Sequence, residues 1–246
     1  MHPPNRGGLA VIGLEQWLSN VYRLGDFFRP KPGDIVIDVG AHVGLFTLRV
    51  LAEEPMCRVI ALEPSKENYE FLCRNLAAAG REYEQMALPY GIAADFGRIW
   101  AEVPTTNRSF DTRTVPAPES ERNASQAVPL AFLVSLAGNQ DIALLKIDAE
   151  GGEFDAFSTV DEATIGRIER VAMEYHDNIA PGTLALLREK LAATHQLSVF
   201  PDPGQLHGRL FAVRNDLVQT SPATRATTDM RRASPYYVAG PQLGSR

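Results

Sequence analysis

The 246-residue sequence is poor in cysteine: it has two, Cys57 and Cys73, and no Cys-x-x-Cys pair. A disulfide framework is therefore excluded, and a reducing compartment is expected. Long apolar runs are also missing, since no stretch approaches the ~18 residues that a membrane-spanning helix needs. Prolines and glycines interrupt residues 1–9, where a secretory signal requires an unbroken apolar core. These absences predict a cytoplasmic protein with no membrane partner.

Basic residues are too few for a protein whose main partner is a nucleic acid. Lys and Arg number 24 against 30 Asp and Glu, which gives a formal net charge of −6. A phosphate backbone is bound by clustered basic residues, so this balance argues against it. The length suits one α/β domain with extensions. The predicted partner is a small molecule, and the sequence does not define an oligomeric state.

A dinucleotide-binding pattern is absent as well. The turn after the first predicted strand, 35–39, lacks the Gly-x-Gly-x-x-Gly spacing that seats a pyrophosphate. Its glycines, Gly40 and Gly44, follow a Gly-x-x-x-Gly pattern after Asp38 instead. A carboxylate beside the turn would repel a phosphate, but it suits a cationic or amine-bearing ligand. Such turns are also common as plain strand-to-helix connections, so this pattern alone does not define a ligand site.

A second acidic residue favours the ligand interpretation. Glu63 follows the next predicted strand, 58–62, and an acidic residue at that place can accept hydrogen bonds from both hydroxyls of a ribose. Neighbouring strands of a parallel sheet end at one edge, where open α/β folds bind their ligands. The two strand ends therefore predict a site for S-adenosylmethionine, with its amino acid end beside Asp38 and its ribose on Glu63.

Hydrophobic periodicity predicts strands that alternate with helices through most of the chain. The last two strands are expected to form an antiparallel hairpin at the sheet edge, and those at 85–93 and 98–103 a hairpin around residues 95–97. The predicted helices are 14–28, 43–54, 65–79, 130–137, 152–158 and 181–193, and the predicted strands are 35–39, 58–62, 85–93, 98–103, 142–147, 168–175, 196–200 and 208–213.

This pattern sets the expected domain boundaries. Residues 1–32 are an N-terminal helical extension, 33–214 the main domain, and 215–246 a polar, largely disordered tail. Residues 104–125 are dense in Pro, Thr, Ser, Asn and Arg and show little periodicity. A loop of this length is usually functional or disordered, so we expect a substrate lid or mobile loop, with plain disorder as the alternative.

Charged residues also follow the later strands, and in a parallel sheet those ends open into the crevice beside Asp38. Lys146 is preceded only by apolar residues in its strand. A buried amine needs a partner, which predicts an ion pair or a substrate contact rather than an amine in solvent. The charged residues at these strand ends are Lys146, Asp148, Glu150, Glu153, Glu174, His176 and Asp177.

Four phrases together resemble the FkbM family of S-adenosylmethionine-dependent methyltransferases: VIDVGAHVG at 36–44, VIALEP at 59–64, LLKIDAEGGE at 144–153 and MEYH at 173–176. The last two phrases are the more specific to the family, and the likeness spans residues 33–213. The sequence departs from the family at His42, where a small polar residue is common, and in its longer proline-rich stretch after residue 103. The resemblance implies an α/β, doubly wound, mostly parallel seven-stranded sheet of the class I methyltransferase-like Rossmann type. It also implies O-methylation of a sugar, polyketide or similar metabolite.

The motifs and the resemblance together assign the candidate site residues. The candidates for cofactor binding are Asp38, Gly40, Ala41, His42, Gly44, Glu63, Pro64 and Ala93. The catalytic candidates are His176, Asp148 and Lys146, and the substrate candidates are Glu150 and Glu174.

In-line methyl transfer depends largely on holding both reactants at the right distance and angle. A hydroxyl also needs a base to remove its proton. His176 has the pKa class for that role near neutrality. Asp148 is the second candidate, and Lys146 could lower the pKa of the bound hydroxyl. The alternative for His176 is a core histidine that is hydrogen-bonded to a carbonyl.

Other mechanisms and functions stay open at this point. Asp148, Glu174 and His176 offer the ligand types for Mg²⁺-assisted transfer, although no dedicated metal ligand is assigned. A nicotinamide-dependent oxidoreductase would share the acidic end of the second strand but needs the missing glycine spacing. A non-catalytic cofactor-binding protein is the remaining alternative.

Overall fold

The computed structural model describes residues 20–82, 87–102, 113–117 and 124–218. Their strands are β1 Ile35–Val39, β2 Arg58–Leu62, β3 Ala87–Leu88, β4 Tyr90–Ile92, β5 Gly97–Glu102, β6 Arg113–Pro116, β7 Ser125–Val128, β8 Leu144–Ile147, β9 Arg170–His176, β10 His195–Pro201 and β11 His207–Arg214. Their helices are α1 Leu45–Glu53, α2 Lys66–Ala78, α3 Leu130–Ser135, α4 Gly152–Ser158, α5 Glu162–Gly166, α6 Thr183–Leu191 and α7 Asn215–Val218.

The larger of two sheets has seven strands in the order β3-β2-β1-β8-β9-β11-β10. Neighbours are parallel except at β11, which is antiparallel to β9 and to β10. The sequence therefore predicted this sheet and its edge hairpin correctly. Because β1, β2, β8 and β9 are parallel, their carboxyl ends lie at one edge of the sheet.

Both faces of this sheet are covered, as in a doubly wound fold. On β1, Ile37 packs into one core cluster with residues of α3, α4, α5 and α6, and Val36 packs into the other with residues of α1 and α2. Both side chains are fully buried. Strands that are buried on both sides read as continuous apolar runs, which is why the sequence pattern of β1 and β8 was so clear.

The predicted helix over 14–28 is wrong for its described part, residues 20–28, which form turns. Asn20, Arg23 and Gly25 have φ values of +49°, +56° and +90°. The Asn20 side chain accepts a hydrogen bond from the N–H of Leu24 and donates one to its carbonyl. These local bonds replace those of a helix, while the apolar residues still pack into the core. Residues 14–19 lie outside the described part.

The predicted hairpin of 85–93 with 98–103 is also wrong. The smaller sheet has the order β4-β7-β5-β6, so β7 separates β4 from β5. The first predicted strand is divided as well: β3 joins the larger sheet and β4 the smaller one. Pro89 stands between them, and it has no N–H to donate to a ladder. Residues 83–86 and 103 lie outside the described part.

The predicted lid, 104–125, is only partly described. Residues 113–116 form β6 and residue 125 begins β7, so these positions are strand rather than loop. Residues 104–112 and 118–123 lie outside the described part, as do residues 219–246 of the predicted tail; its first four residues form α7. Ser65 caps α2 as expected, since its side chain accepts a hydrogen bond from the N–H of Asn68. None of the helices in the described residues is both long and apolar enough to cross a membrane.

Candidate active site

The turn after β1 requires glycine at position 40. Gly40 has a φ of +72°, and a Cβ on it would overlap the carbonyl oxygen of Asp148. Gly44 precedes α1 at a φ of +86°, and a Cβ there would lie 2.6 Å from the Leu72 side chain. Left-handed backbone costs other residues ~1–2 kcal/mol before any such contact is counted. The turn therefore lies directly against the end of β8.

The Glu63 carboxylate joins this turn to the end of β2. One oxygen accepts a hydrogen bond from the backbone N–H of His42 at 2.8 Å, and the other accepts one from the N–H of Ser65 at 2.9 Å. Burial raises the pKa of Glu63, and these N–H donors only partly oppose the rise. A carboxylate has about four lone-pair sites, so Glu63 can also accept hydrogen bonds from ligand hydroxyls.

Pro64 and Ala93 lie where the smaller sheet meets the end of β2. The Ser125 hydroxyl donates a hydrogen bond to the carbonyl of Pro64. The Ala93 N–H donates one to the carbonyl of Val128 at 3.1 Å. A Cβ added to Gly91 would lie 3.4 Å from the Pro64 side chain. The smaller sheet therefore borders the crevice beside Glu63.

His42 has a backbone conformation that is uncommon outside glycine, with a φ of +52°. Its Nδ1 is buried and has no hydrogen-bond partner in the part of the chain that the structure describes. Burial lowers the pKa of His42, and the charge of Lys146 lowers it further. A neutral ring thus places an unsatisfied polar atom in the turn, which a bound ligand can satisfy.

Asp38 and Lys146 are opposite each other in the register of β1 with β8. The Lys146 Nζ lies 3.0 Å from the Asp38 Oδ1 and donates a hydrogen bond to the carbonyl of Gly40 at 2.8 Å. The other Asp38 oxygen accepts a hydrogen bond from the Thr47 hydroxyl at 2.6 Å. Burial alone would lower the pKa of Lys146, but the charges of Asp38 and Asp148 outweigh it and raise the pKa. This is the ion pair that the sequence offered as one alternative.

That pairing limits what either side chain can contact. The Asp38 and Lys146 side chains are 0% and 2% exposed. Asp38 therefore faces Lys146 and Thr47 in the interior, and the Lys146 amine presents almost no surface to a substrate. Direct contacts of Asp38 with a cofactor amine, and of Lys146 with an acceptor hydroxyl, stay predictions.

Tyr22 reaches the end of β8 from the turn segment before β1. Its hydroxyl donates a hydrogen bond to the Asp148 Oδ2 at 2.7 Å. Its ring packs edge-on against Phe46, with centroids 5.5 Å apart, and the Lys146 Nζ lies 5.3 Å from its centre. Burial raises the pKa of Tyr22 well above its ordinary value, and the charge of Asp148 raises it further. Tyr22 therefore stays a protonated donor.

His176, at the end of β9, lies between two carboxylates. Its Nδ1 is 3.2 Å from Oε1 of the fully buried Glu153, and its Nε2 is 3.6 Å from Oε2 of Glu150. Burial alone would lower the pKa of His176, but the hydrogen bond and charge of Glu153 outweigh it and raise the pKa to about 10. Glu153 also accepts hydrogen bonds from the N–H groups of Ala149 and Gly151. His176 thus pairs with the Glu153 carboxylate, and it is not the carbonyl-bonded core histidine of the alternative.

Glu174 completes an acidic group at the crevice. Burial, followed by the charge of Asp148, raises the pKa of Glu174 to about 8, and the same two causes raise the pKa of Glu150 to about 8. Ligand-type atoms of Asp148, Glu174 and His176 lie within 4.8 Å of one another. Those of Glu174, Asp202 and His207 satisfy the same limit. Carboxylates so placed favour protons or a cation between them.

The structure therefore brings the predicted residues together at two neighbouring places. The first is the turn with Glu63, Pro64 and Ala93, and the second is the group formed by Asp148, Glu150, Glu174 and His176. Sequence reasoning assigned no role to Tyr22 or Glu153. The sequence did contain a signal for Glu153. It belongs to the same charged phrase, residues 144–153, as Lys146, and it lies in the first turn of α4. Tyr22 gave no such signal within an expected helix.

A mostly parallel α/β sheet with a glycine turn facing an acidic strand end is the architecture of a nucleoside-binding α/β enzyme. Comparison with known proteins makes this specific. Residues 38–196 match the family described as "Methyltransferase FkbM domain". The chain belongs to this family and is a methyltransferase, as its four phrases predicted.

Relatives and solved structures agree with this assignment. The chain is 29% identical over 174 residues to "31-O-demethyl-FK506 methyltransferase FkbM" of Streptomyces tacrolimicus. That alignment covers 60% of this chain and 67% of the relative. It is 26% identical over 190 residues to "Methyltransferase sdnD" of Sordaria araneosa, covering 63% and 72%. Among solved structures, the methyltransferase FkbM from Methylobacillus flagellatus KT shares the fold with a TM-score of 0.54 at 15% identity. That alignment covers 79% of this chain but only 47% of the other, so the chain spans about half of that structure's length.

Proposed function

We propose that this protein is an S-adenosylmethionine-dependent O-methyltransferase acting on a hydroxyl of a small metabolite, such as a sugar, polyketide or other natural product. The observation that carries the proposal is the hydrogen bond from the His42 N–H to Glu63. It joins the glycine turn to the carboxylate that we expect to bind the ribose. The group formed by Asp148, Glu150, Glu174 and His176 lies at the same sheet edge. The substrate named for the S. tacrolimicus relative supports a hydroxyl acceptor, and the net charge of −6 supports a small molecule over nucleic acid.

When bound, S-adenosylmethionine supplies a methyl group activated on a sulfonium. In this proposal the Glu63 carboxylate accepts the ribose hydroxyls, and the His42 ring meets the ligand with its unsatisfied Nδ1. Gly40, Ala41 and Gly44 let the ligand approach the turn backbone, since glycine leaves space there. Pro64 and Ala93 line the side formed by the smaller sheet. Asp38 acts chiefly through Lys146, whose amine fixes the Gly40 carbonyl.

Asp148 is the better candidate for the base. The acceptor hydroxyl loses its proton as its oxygen bonds the methyl carbon and the carbon–sulfur bond breaks, so a proton acceptor must lie in the crevice. A carboxylate can accept the Tyr22 hydrogen bond on one oxygen and a proton on the other. With its pKa raised to about 10, His176 is a cation at neutral pH and has no free lone pair. Its proposed role is to hold Glu150 at the substrate side of the crevice.

Two measurements test this function. Calorimetry should show S-adenosylhomocysteine binding to the wild type, with affinity falling ~10-fold or more in Glu63→Gln, because a hydrogen bond to a charged group contributes ~1.5–3 kcal/mol. Incubation with methyl-deuterated S-adenosylmethionine and hydroxyl-bearing acceptors, beginning with 31-O-demethyl-FK506, is followed by mass spectrometry. The methylated products should be about three mass units heavier than those made with unlabelled S-adenosylmethionine, because CD3 replaces CH3. Asp148→Asn should abolish that transfer while keeping S-adenosylhomocysteine binding.

Other outcomes would point elsewhere. Binding of S-adenosylhomocysteine without transfer to any acceptor would favour the non-catalytic alternative. NADH binding in its place would favour the oxidoreductase, which the family assignment does not support. Full transfer by both Asp148→Asn and His176→Gln would show that the base assignment is wrong.

The close approach of Asp148, Glu174 and His176 favours Mg²⁺-assisted transfer as the second candidate mechanism. Mg²⁺ typically takes one or two carboxylates together with waters and substrate oxygens. These residues fit that donor set only in part, since His176 is held by Glu153 and Glu150. Loss of transfer in EDTA that Mg²⁺ restores would support this mechanism, and full transfer in EDTA would remove it.

A further inference from the structure

We infer that Tyr22 is a positioning residue that sets the orientation of Asp148 for methyl transfer. The inference rests on the proposed function and adds a residue to it. Tyr22 lies outside residues 38–196, the part of the chain that matches the family, so nothing in that match assigns it a role. It is separated from Asp148 by 126 positions in the sequence.

The first support is the contact itself. The Tyr22 hydroxyl lies 2.7 Å from the Asp148 Oδ2, and Tyr22 is only 3% exposed. A hydrogen bond to a charged acceptor is stronger than a neutral one. The bond therefore fixes the carboxylate in one rotation and directs the remaining oxygen elsewhere. A tyrosine in the core would otherwise be replaceable by phenylalanine at little cost.

The second support is the way the Tyr22 ring is held. Phe46 of α1 packs edge-on against it, and the Lys146 Nζ lies 5.3 Å from the ring centre. Lys146 is itself fixed by Asp38. The ring thus has defined neighbours on α1 and on β8. A donor whose ring is held in this way fixes its acceptor better than an exposed side chain does.

The third support is the local backbone that delivers Tyr22. Residues 20–28 form turns in which the Asn20 side chain bonds both backbone groups of Leu24. Leu24 and Phe28 are each 3% exposed and belong to the same core cluster as Tyr22. The segment is therefore anchored on either side of the hydroxyl, so its position relative to the end of β8 is defined.

The test uses Tyr22→Phe, which keeps the ring contacts and removes only the hydroxyl. With an acceptor that the wild type methylates, kcat of the full chain should fall ~10-fold in Tyr22→Phe through lost orientation, while KM for that acceptor stays within twofold. The Kd for S-adenosylhomocysteine should stay within twofold.

Tyr69→Phe is the matched control. Tyr69 packs against the same core cluster, and the change removes only its hydroxyl, which donates a hydrogen bond to the carbonyl of Ala87. It should leave kcat at its wild-type value. A purely structural role for Tyr22 would lower the melting temperature without changing kcat at a temperature where the variant is fully folded, and that result would overturn the proposal.

Failure of this inference can be told from failure of the proposed function. If the wild type transfers methyl groups and Tyr22→Phe matches Tyr69→Phe in kcat, the role of Tyr22 is wrong and the function stands. If the wild type binds no S-adenosylhomocysteine and transfers no methyl group, the proposed function fails. The positioning role of Tyr22 then fails with it.

Discussion

The Lys146 amine and the Asp38 carboxylate face each other across β1 and β8, 3.0 Å apart and shielded from water. Removing one member of such a pair leaves an uncompensated buried charge, which costs ~3–5 kcal/mol. We therefore predict that Lys146→Met lowers the free energy of unfolding by that amount in urea denaturation. The double variant Asp38→Asn/Lys146→Met should lose less than Lys146→Met alone, because no charge is then stranded.

Lys66→Met provides the control for this prediction, since Lys66 is an exposed residue at the start of α2. Surface changes of this kind usually alter stability by less than ~0.5 kcal/mol. Equal denaturation midpoints for Lys146→Met and Lys66→Met would show that the pair does not hold in solution.

Gly40 and Gly80 allow backbone strain to be separated from steric overlap. Both have a φ of +72°, but a Cβ meets the Asp148 carbonyl at Gly40 and nothing within 4 Å at Gly80. Gly80→Ala should cost ~1–2 kcal/mol of stability for the left-handed backbone. Gly40→Ala should cost clearly more and weaken S-adenosylhomocysteine binding at least 10-fold. Thermal and urea unfolding measure both losses. Equal losses of stability in Gly40→Ala and Gly80→Ala would contradict the steric overlap at Gly40.

The carboxyl group of Glu174 should make stability depend on pH. Burial, then the charge of Asp148, raises its pKa to about 8. The folded protein therefore keeps a proton that the unfolded chain releases at its ordinary, lower pKa, and stability falls as pH rises toward about 8. Glu174→Gln cannot ionise, so its melting temperature relative to wild type should rise between pH 5 and pH 8. Glu189→Gln, at an exposed position on α6, should show no such trend.

Glu153 should control the charge of His176. Its hydrogen bond and charge outweigh the effect of burial and raise the His176 pKa to about 10. In Glu153→Gln that support is lost, and the pKa of His176 should fall by more than one unit in an NMR titration of the ring. His195 in β10 is an internal control, because burial lowers its pKa, its Nε2 lies 2.8 Å from the Ile168 carbonyl, and Glu153 is not among the groups that shift its pKa. An unchanged His176 titration would mean that another group sets its charge.

The sequence predicted the larger sheet well because β1, β2, β8 and β9 are rich in buried apolar residues, and the charged residues at or just after their carboxyl ends mark where they stop. Glu63 and the glycine turn were found for the same reason. Prediction from the sequence failed where local hydrogen bonds decide the structure, as at Asn20. It also failed where a strand from another part of the chain intervenes, as β7 does between β4 and β5. Propensity and spacing contain neither kind of information.

The candidate site shows the same division. Its residue types could be read from the strand ends, but not the partners that set their chemistry. His176 has the ordinary pKa class of a base, and only the fold shows Glu153 beside it. Lys146 could equally have met a substrate, and only the register of β1 with β8 places it opposite Asp38.

The turn segment at 20–28 has a practical meaning for shortened versions of the protein. A chain cut to start at residue 33 would keep every strand of the larger sheet, so it would look complete by secondary structure alone. It would nevertheless open the covering over Lys146 to water, because Tyr22 would be gone, and would strip Leu24 and Phe28 from the core beneath α1. Expression designs and domain transplants should therefore begin upstream of residue 20.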